Sequence, residues 1–245
     1  MGISISLSIL EYEPELSKNI NNLRESRAFI NIIRLLKTGL ISGVHIDVMR
    51  PPLIPNKSKF SVELIRRLYE ELVGKTYLNI HLMTGNPLGI IKDINRFMTS
   101  DDRARITIII QVESFSSEKE TIGAIKATKN YGYIAGVGLN LPTPEEKLSD
   151  RIVEEAQVIL VMSVPMGLGG QKYYKEATSR LSRISRRFPN KVVEVDGGIN
   201  PETIIEAWRA GAKVAIVGSY ITLSSNPVEA LLKISNTLKL LGANS

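Results

Sequence analysis

Eight short runs rich in Ile, Val and Leu recur along the chain, at about residues 3–9, 43–48, 77–82, 106–112, 134–139, 158–163, 191–195 and 214–218. Runs of this length bounded by polar, turn-forming residues read as strands. The stretches between them carry a different period. Val62-Glu63-Leu64-Ile65-Arg66-Arg67-Leu68-Tyr69 has helical spacing, and Pro201 opens another such stretch that runs to Trp208, with proline at the first helical position. Eight strand-helix units that close on themselves form an α/β fold, the (β/α)8 TIM barrel, whose chemistry sits at the C-terminal ends of the strands and in the loops that follow. An open doubly wound sheet also alternates, but it carries a glycine-rich turn after its first strand. Here that turn reads Leu10-Glu11-Tyr12-Glu13, and the glycines cluster after the sixth, seventh and eighth strands. The first connection, residues 11–42, has room for two helical segments. No linker or low-complexity tract interrupts the pattern, so the whole chain, residues 1–245, is expected to form a single barrel domain.

Composition narrows the partners. With 43% hydrophobic and 23% charged residues the chain matches ordinary soluble proteins, and the excess of 31 basic over 25 acidic side chains favours anions in a general way. The densest basic stretch, Arg180-Leu181-Ser182-Arg183-Ile184-Ser185-Arg186-Arg187, has the spacing of a solvated helix face. No aromatic or groove-reading elements accompany it, so nucleic acid is not expected as a partner. The absence of cysteine excludes disulfide and thiolate chemistry and fits a reducing cytosol. Met1-Gly2-Ile3-Ser4-Ile5-Ser6-Leu7-Ser8 alternates like a strand rather than a signal peptide. No apolar run reaches the roughly 18 residues of a membrane span. The expectation is a soluble, cytoplasmic protein without a membrane partner.

Successive side chains of a strand point to opposite faces, so His45, Asp47 and Met49 share one face of the second strand, as His81 and Met83 do on the third. Asp196 ends the seventh run, just before Gly197-Gly198. Two imidazoles and two carboxylates from three strand ends make a donor set suited to Zn, Fe, Mn or Co, with positions left for substrate oxygens. That points to a catalytic divalent-metal site. Met49 and Met83, with Met162 at the end of the sixth strand, supply a soft apolar wall that limits water beside it. A second constellation is Met166-Gly167-Leu168-Gly169-Gly170-Gln171, followed by Gly197-Gly198 and Val217-Gly218-Ser219. Glycine lets backbone N–H groups approach an anion, and barrel enzymes often hold phosphate in their last loops. A phosphorylated small molecule is therefore the expected substrate.

These segments, in this order, resemble the ribulose-phosphate 3-epimerase family. The matching motifs are His45-Ile46-Asp47-Val48-Met49 with Pro55-Asn56, His81-Leu82-Met83 with Asn86-Pro87, Gly136-Val137-Gly138-Leu139-Asn140, Val161-Met162-Ser163-Val164 with Gly167-Leu168-Gly169-Gly170-Gln171, and Val195-Asp196-Gly197-Gly198. With Leu7-Ser8-Ile9-Leu10 and Val217-Gly218-Ser219 the resemblance covers essentially the whole chain. It implies a barrel of the ribulose-phosphate-binding type, with a divalent metal held by His45, Asp47, His81 and Asp196. Asp47 and Asp196 then act as acid and base on opposite faces of the sugar, while Ser8, Met49, Met83 and Met162 line the substrate site. The implied reaction interconverts D-ribulose 5-phosphate and D-xylulose 5-phosphate through an enediolate. Because the family is commonly oligomeric, the resemblance also implies a homo-oligomer.

Three departures bear on the loops. Arg50-Pro51 stands where the family usually has aspartate and glycine, the proline of the sixth loop comes one place early in Pro165-Met166, and Gln111 replaces a usual histidine. The ligand set is untouched. The altered loops leave two alternatives open, a 3-epimerase for a six-carbon ketose phosphate such as allulose 6-phosphate and a sugar-phosphate binding protein without turnover. Arg50 is expected to pair with a nearby acid in preference to the phosphate.

Overall fold

The computed structural model describes residues 2–242. Its strands are β1 (Ser4–Ser8), β2 (Gly43–Met49), β3 (Tyr77–Met83), β4 (Ile106–Gln111), β5 (Ile134–Leu139), β6 (Val158–Met162), β7 (Val192–Asp196) and β8 (Val214–Val217). Each lies within one residue of the run predicted for it at either end. All pair in parallel in sequence order, and β8 returns to β1 through the register Ser4↔Val214 to Leu7↔Val217, which closes the barrel.

Parallel strands covered on both sides need apolar residues on both sides. Val44, Ile46 and Val48 of β2 and Leu78, Ile80 and Leu82 of β3 face outward into the main core under the helices. Ile109, Leu160 and Ile216 fill the interior of the barrel. The helix Val62–Leu72 shows how the outer layer is held: Ser61 caps it by accepting from the Leu64 N–H, and Leu64, Ile65, Leu68 and Leu72 lie buried against the strands. Each such side chain contributes roughly 1.5–3 kcal/mol through burial. The first connection carries two helices, Glu13–Lys18 and Arg27–Leu36, as expected.

The basic stretch lies on the helix Lys175–Arg187, which buries Ala177, Leu181 and Ile184. Arg183 and Arg187 pair with Glu145 and Asp150 at 2.8 and 2.6 Å on the exposed side, as the solvated-face reading requires. One boundary differs from expectation. The helix after β7 begins at Thr203, because Asn200 Oδ1 accepts from the N–H groups of Glu202 and Thr203 at 2.8 and 3.0 Å and keeps Pro201 in the preceding turn. Among the described residues no helix is long and apolar enough to cross a membrane.

Candidate metal centre and substrate pocket

Parallel pairing of β2 with β3 sets Asp47 opposite His81 and Met49 opposite Met83. The two-residue period then turns His45, Asp47 and His81 inward at the mouth of the barrel, and β7 brings Asp196 to them from the other side of the ring. One donor atom from each of His45, Asp47, His81 and Asp196 lies within 4.8 Å of the others. Both imidazoles are fully buried, while Asp196 keeps some exposure to the mouth. Asp47 is the hub: Oδ2 accepts from Ser8 Oγ at 2.9 Å, and Oδ1 lies 3.2 Å from His45 Nε2 and 3.3 Å from His81 Nδ1.

Electrostatics divides the two acids. Burial disfavours the Asp47 carboxylate, but the neighbouring His45 above all outweighs it and holds the group far below the usual carboxylate range. Asp196 goes the other way: burial first, then the negative charge of Asp47, push it up to about 7. Burial also works against an imidazolium at His45, yet Asp47, Asp196 and Glu194 together push that ring up to about 9. Burial keeps His81 below the ordinary imidazole value.

A divalent cation fits this donor set. His45 is buried with neither ring nitrogen engaged in a hydrogen bond among the described residues, since its approach to Asp47 lacks the alignment of one. A native interior leaves few polar atoms unsatisfied, and an ion position beside them is one of the accepted reasons. Imidazole nitrogen and carboxylate oxygen are the ligands expected for a first-row divalent metal. No side chain has to be recruited from elsewhere.

Above the cluster lies a pocket lined by every residue predicted to contact substrate, namely Ser8, Met49, Met83, Met162, Gly167, Gly169, Gly170, Gly197, Gly198, Gly218 and Ser219, together with Asp47 and Asp196. Met49 and Met83 pack with Ile54 into an apolar wall, and Met162 joins the neighbouring interior cluster. Glu11 also lines the pocket. Sequence reasoning passed over it, because its only signal is a position in the loop after the first strand. Its carboxylate lies where a side chain on Gly169 would have to be, so glycine there makes room for an acid. Gly198, at φ +63°, packs bare against the backbone of Tyr173, an approach that any Cβ would block.

The departures in the loops have definite roles. Among the described residues Arg50 pairs with no acid, contrary to expectation: Nη1 donates to the carbonyls of Met49 (2.6 Å) and Lys59, and Nη2 to that of Phe60 (2.7 Å). The nearby acid, Glu13, is taken by Lys59 at 2.7 Å. The corner after β2 therefore has a guanidinium that serves the backbone. Lys57 in the same loop donates to the Gly167 carbonyl, tying the second loop to the sixth. In the sixth loop Gln171 Nε2 donates to the Pro165 and Leu168 carbonyls at 2.7 and 2.8 Å, and the Met166 N–H donates to Asn140 Oδ1 at 2.9 Å.

The chain is similar to known proteins in fold and in sequence. KGPDC from Streptococcus mutans superposes with a TM-score of 0.62 at 11% identity, covering 98% of this chain and 99% of that one. A 3-hexulose-6-phosphate synthase gives a TM-score of 0.59 at 13% identity, covering 97% and 98%. At such identities the likeness is one of fold. In sequence, the cytoplasmic isoform of ribulose-phosphate 3-epimerase from Oryza sativa subsp. japonica is 31% identical over 208 residues, 84% of this chain and 86% of its own. The ribulose-phosphate 3-epimerase of Bacillus subtilis (strain 168) is 29% identical over 212 residues, 83% and 90% of the two chains. A model of the ribulose-phosphate 3 epimerase family matches residues 16–222. The chain belongs to that family.

Proposed function

We propose that this protein is a metal-dependent 3-epimerase of a ketose phosphate, with D-ribulose 5-phosphate and D-xylulose 5-phosphate as its substrate pair and His45, Asp47, His81 and Asp196 as its metal ligands. The observation that carries the reading is the pair of carboxylates, Asp47 from β2 and Asp196 from β7, gathered with two buried imidazoles beneath one pocket. A bound divalent ion supplies Lewis acidity for the negative charge that develops on the substrate oxygens when C3 loses its proton.

The side chains do the rest. Without the ion Asp47 is held ionised while Asp196 is pushed up to about 7, so the two carboxylates differ in proton affinity. Environments that split two carboxylates in this way mark one as base and the other as acid. One carboxylate takes the C3 proton from one face, and the other returns a proton to the opposite face; in the reverse direction the roles exchange. Ser8, through its hydrogen bond to Asp47, holds that carboxylate in place. Met49, Met83 and Met162 keep water from the carbanionic carbon. Backbone N–H groups of the loops bearing Gly167, Gly169, Gly170, Gly197, Gly198, Gly218 and Ser219 hold the phosphate, since the charged side chains of the pocket, among the described residues, are the acids Glu11, Asp47 and Asp196.

The test is exchange of the C3 hydrogen with deuterated solvent, run with metal-replete protein on ribulose 5-phosphate and allulose 6-phosphate side by side. Exchange and epimerisation of the pentulose, with slower turnover of the hexulose, is the expected result. Binding of both without exchange would overturn the enzymatic reading.

A further inference from the structure

We propose that Gln111 is a positioning residue that fixes the tautomer of His81, with Glu113 locking the amide of Gln111 in the orientation this requires. The proposal rests on the metal-site reading above and adds to it the means by which one ligand is prepared. Gln111, the last residue of β4, is completely buried, and one end of its amide lies 2.7 Å from His81 Nε2. Its other end faces Glu113 Oε2 at 2.7 Å and the Gly138 carbonyl at 2.8 Å. A carboxylate oxygen and a carbonyl oxygen only accept, so that end must be the NH2 group. The oxygen of the amide then faces the imidazole. An oxygen at 2.7 Å from a ring nitrogen needs a proton between them, which places N–H at Nε2 and makes it the donor.

The consequence falls on the other ring nitrogen. With Nε2 carrying the proton, a neutral His81 presents the lone pair of Nδ1 to Asp47 Oδ1, 3.3 Å away. Two acceptors at that distance call for a cation beside both. Outer partners that fix the tautomer and orientation of a ligating histidine change metal affinity about 10- to 100-fold when removed. Glu113 is itself held, because its Oε1 accepts the Asn140 N–H at 2.9 Å. Gly138 adds a steric reason: any Cβ there would meet the Gln111 amide at about 2.9 Å, so the strand opposite is bare where the amide lies.

The experiment compares wild type with Q111M and E113Q, all as full-length chains. In E113Q one acceptor must serve two donors, so the amide of Gln111 is free to turn, while the barrel interior keeps its volume. Long-range 15N–1H spectra of the imidazoles in chelator-treated protein are expected to show His81 protonated at Nε2 in wild type and to lose that preference in Q111M. Co(II) affinity, read by competition with a chelator, is expected to fall about 10- to 100-fold in Q111M and by less in E113Q. If Q111M does not fold, a loss of the Nε2 proton signature in E113Q carries the same conclusion, and its retention there with unchanged Co(II) affinity overturns the proposal. Wild-type tautomer and affinity in Q111M overturn it likewise. A wild type that shows the Nε2–H tautomer but binds no Co(II) supports the role of Gln111 and defeats the metal reading instead.

Discussion

His45 and Asp196 each have a proton to lose before they can ligate. Their pKa values are pushed up, to about 9 and about 7, so the protonated forms are favoured below those values. A cation must displace those protons, and affinity therefore rises with pH by about tenfold per unit for each proton displaced, most steeply below 7, where both groups hold one, and less steeply from 7 to 9, where only His45 does. Titration of chelator-treated protein with Zn(II) at pH 6, 7, 8 and 9 is expected to show this climb, and a pH-independent affinity would contradict it. At the same scale, D47N and D196N are expected to lower C3 hydrogen exchange by about 10²- to 10⁴-fold while KM moves less, since an amide oxygen still ligates but accepts no proton. Metal content measured alongside separates lost ligation from lost proton transfer. The gathering of the four donors was legible in the sequence because the strand period puts His45 and Asp47 on one face and all four lie in the strand runs or at their ends, which a barrel brings together. Gln111 and Glu113 were not, because their significance lies in which amide end meets which acceptor, and that depends on Gly138 and Asn140 from the neighbouring strand.

Among the elements, the corner after β2 shows where sequence reasoning stops. Residue type suggested an ion pair for Arg50, whereas the folded loop presents three carbonyls to it. Backbone acceptors in a turn leave no trace in composition. Removing the guanidinium in R50A takes that donor from the Lys59 and Phe60 carbonyls, while the Met49 carbonyl keeps the Lys59 N–H, and is expected to cost about 1–3 kcal/mol in urea unfolding, with R50K recovering only part because an ammonium lacks the planar fork. Helix ends are simpler. Ser61 stands alone as the cap of Val62–Leu72, and S61A is expected to cost about 1 kcal/mol by the same measurement. Pro201 marks the opposite case: its fixed φ suits a first helical turn, but Asn200 captures the following N–H groups and delays the helix to Thr203. Propensity sets what a residue tolerates, and local hydrogen bonds decide where the element starts.

For the molecule as a whole, the alternation of eight strand runs with helical spacing specified the barrel almost completely, since parallel strands buried on two faces admit few other closures. The ion adds a global term. A ligand that binds only the folded state raises stability by RT ln(1 + [L]/Kd), about 2.7 kcal/mol at a hundredfold excess over Kd. Thermal unfolding is therefore expected to shift upward with added Mn(II) or Zn(II) and back with chelator, and an H45A/H81A double variant is expected to show no shift. The seam between β8 and β1 has one more consequence. Because every strand has two neighbours, the described residues offer no frayed hydrogen-bonding border on which another polypeptide can template itself. Any self-assembly must then be written in side chains on the outer helices and rim loops, where single substitutions can tune or abolish it without disturbing the catalytic interior.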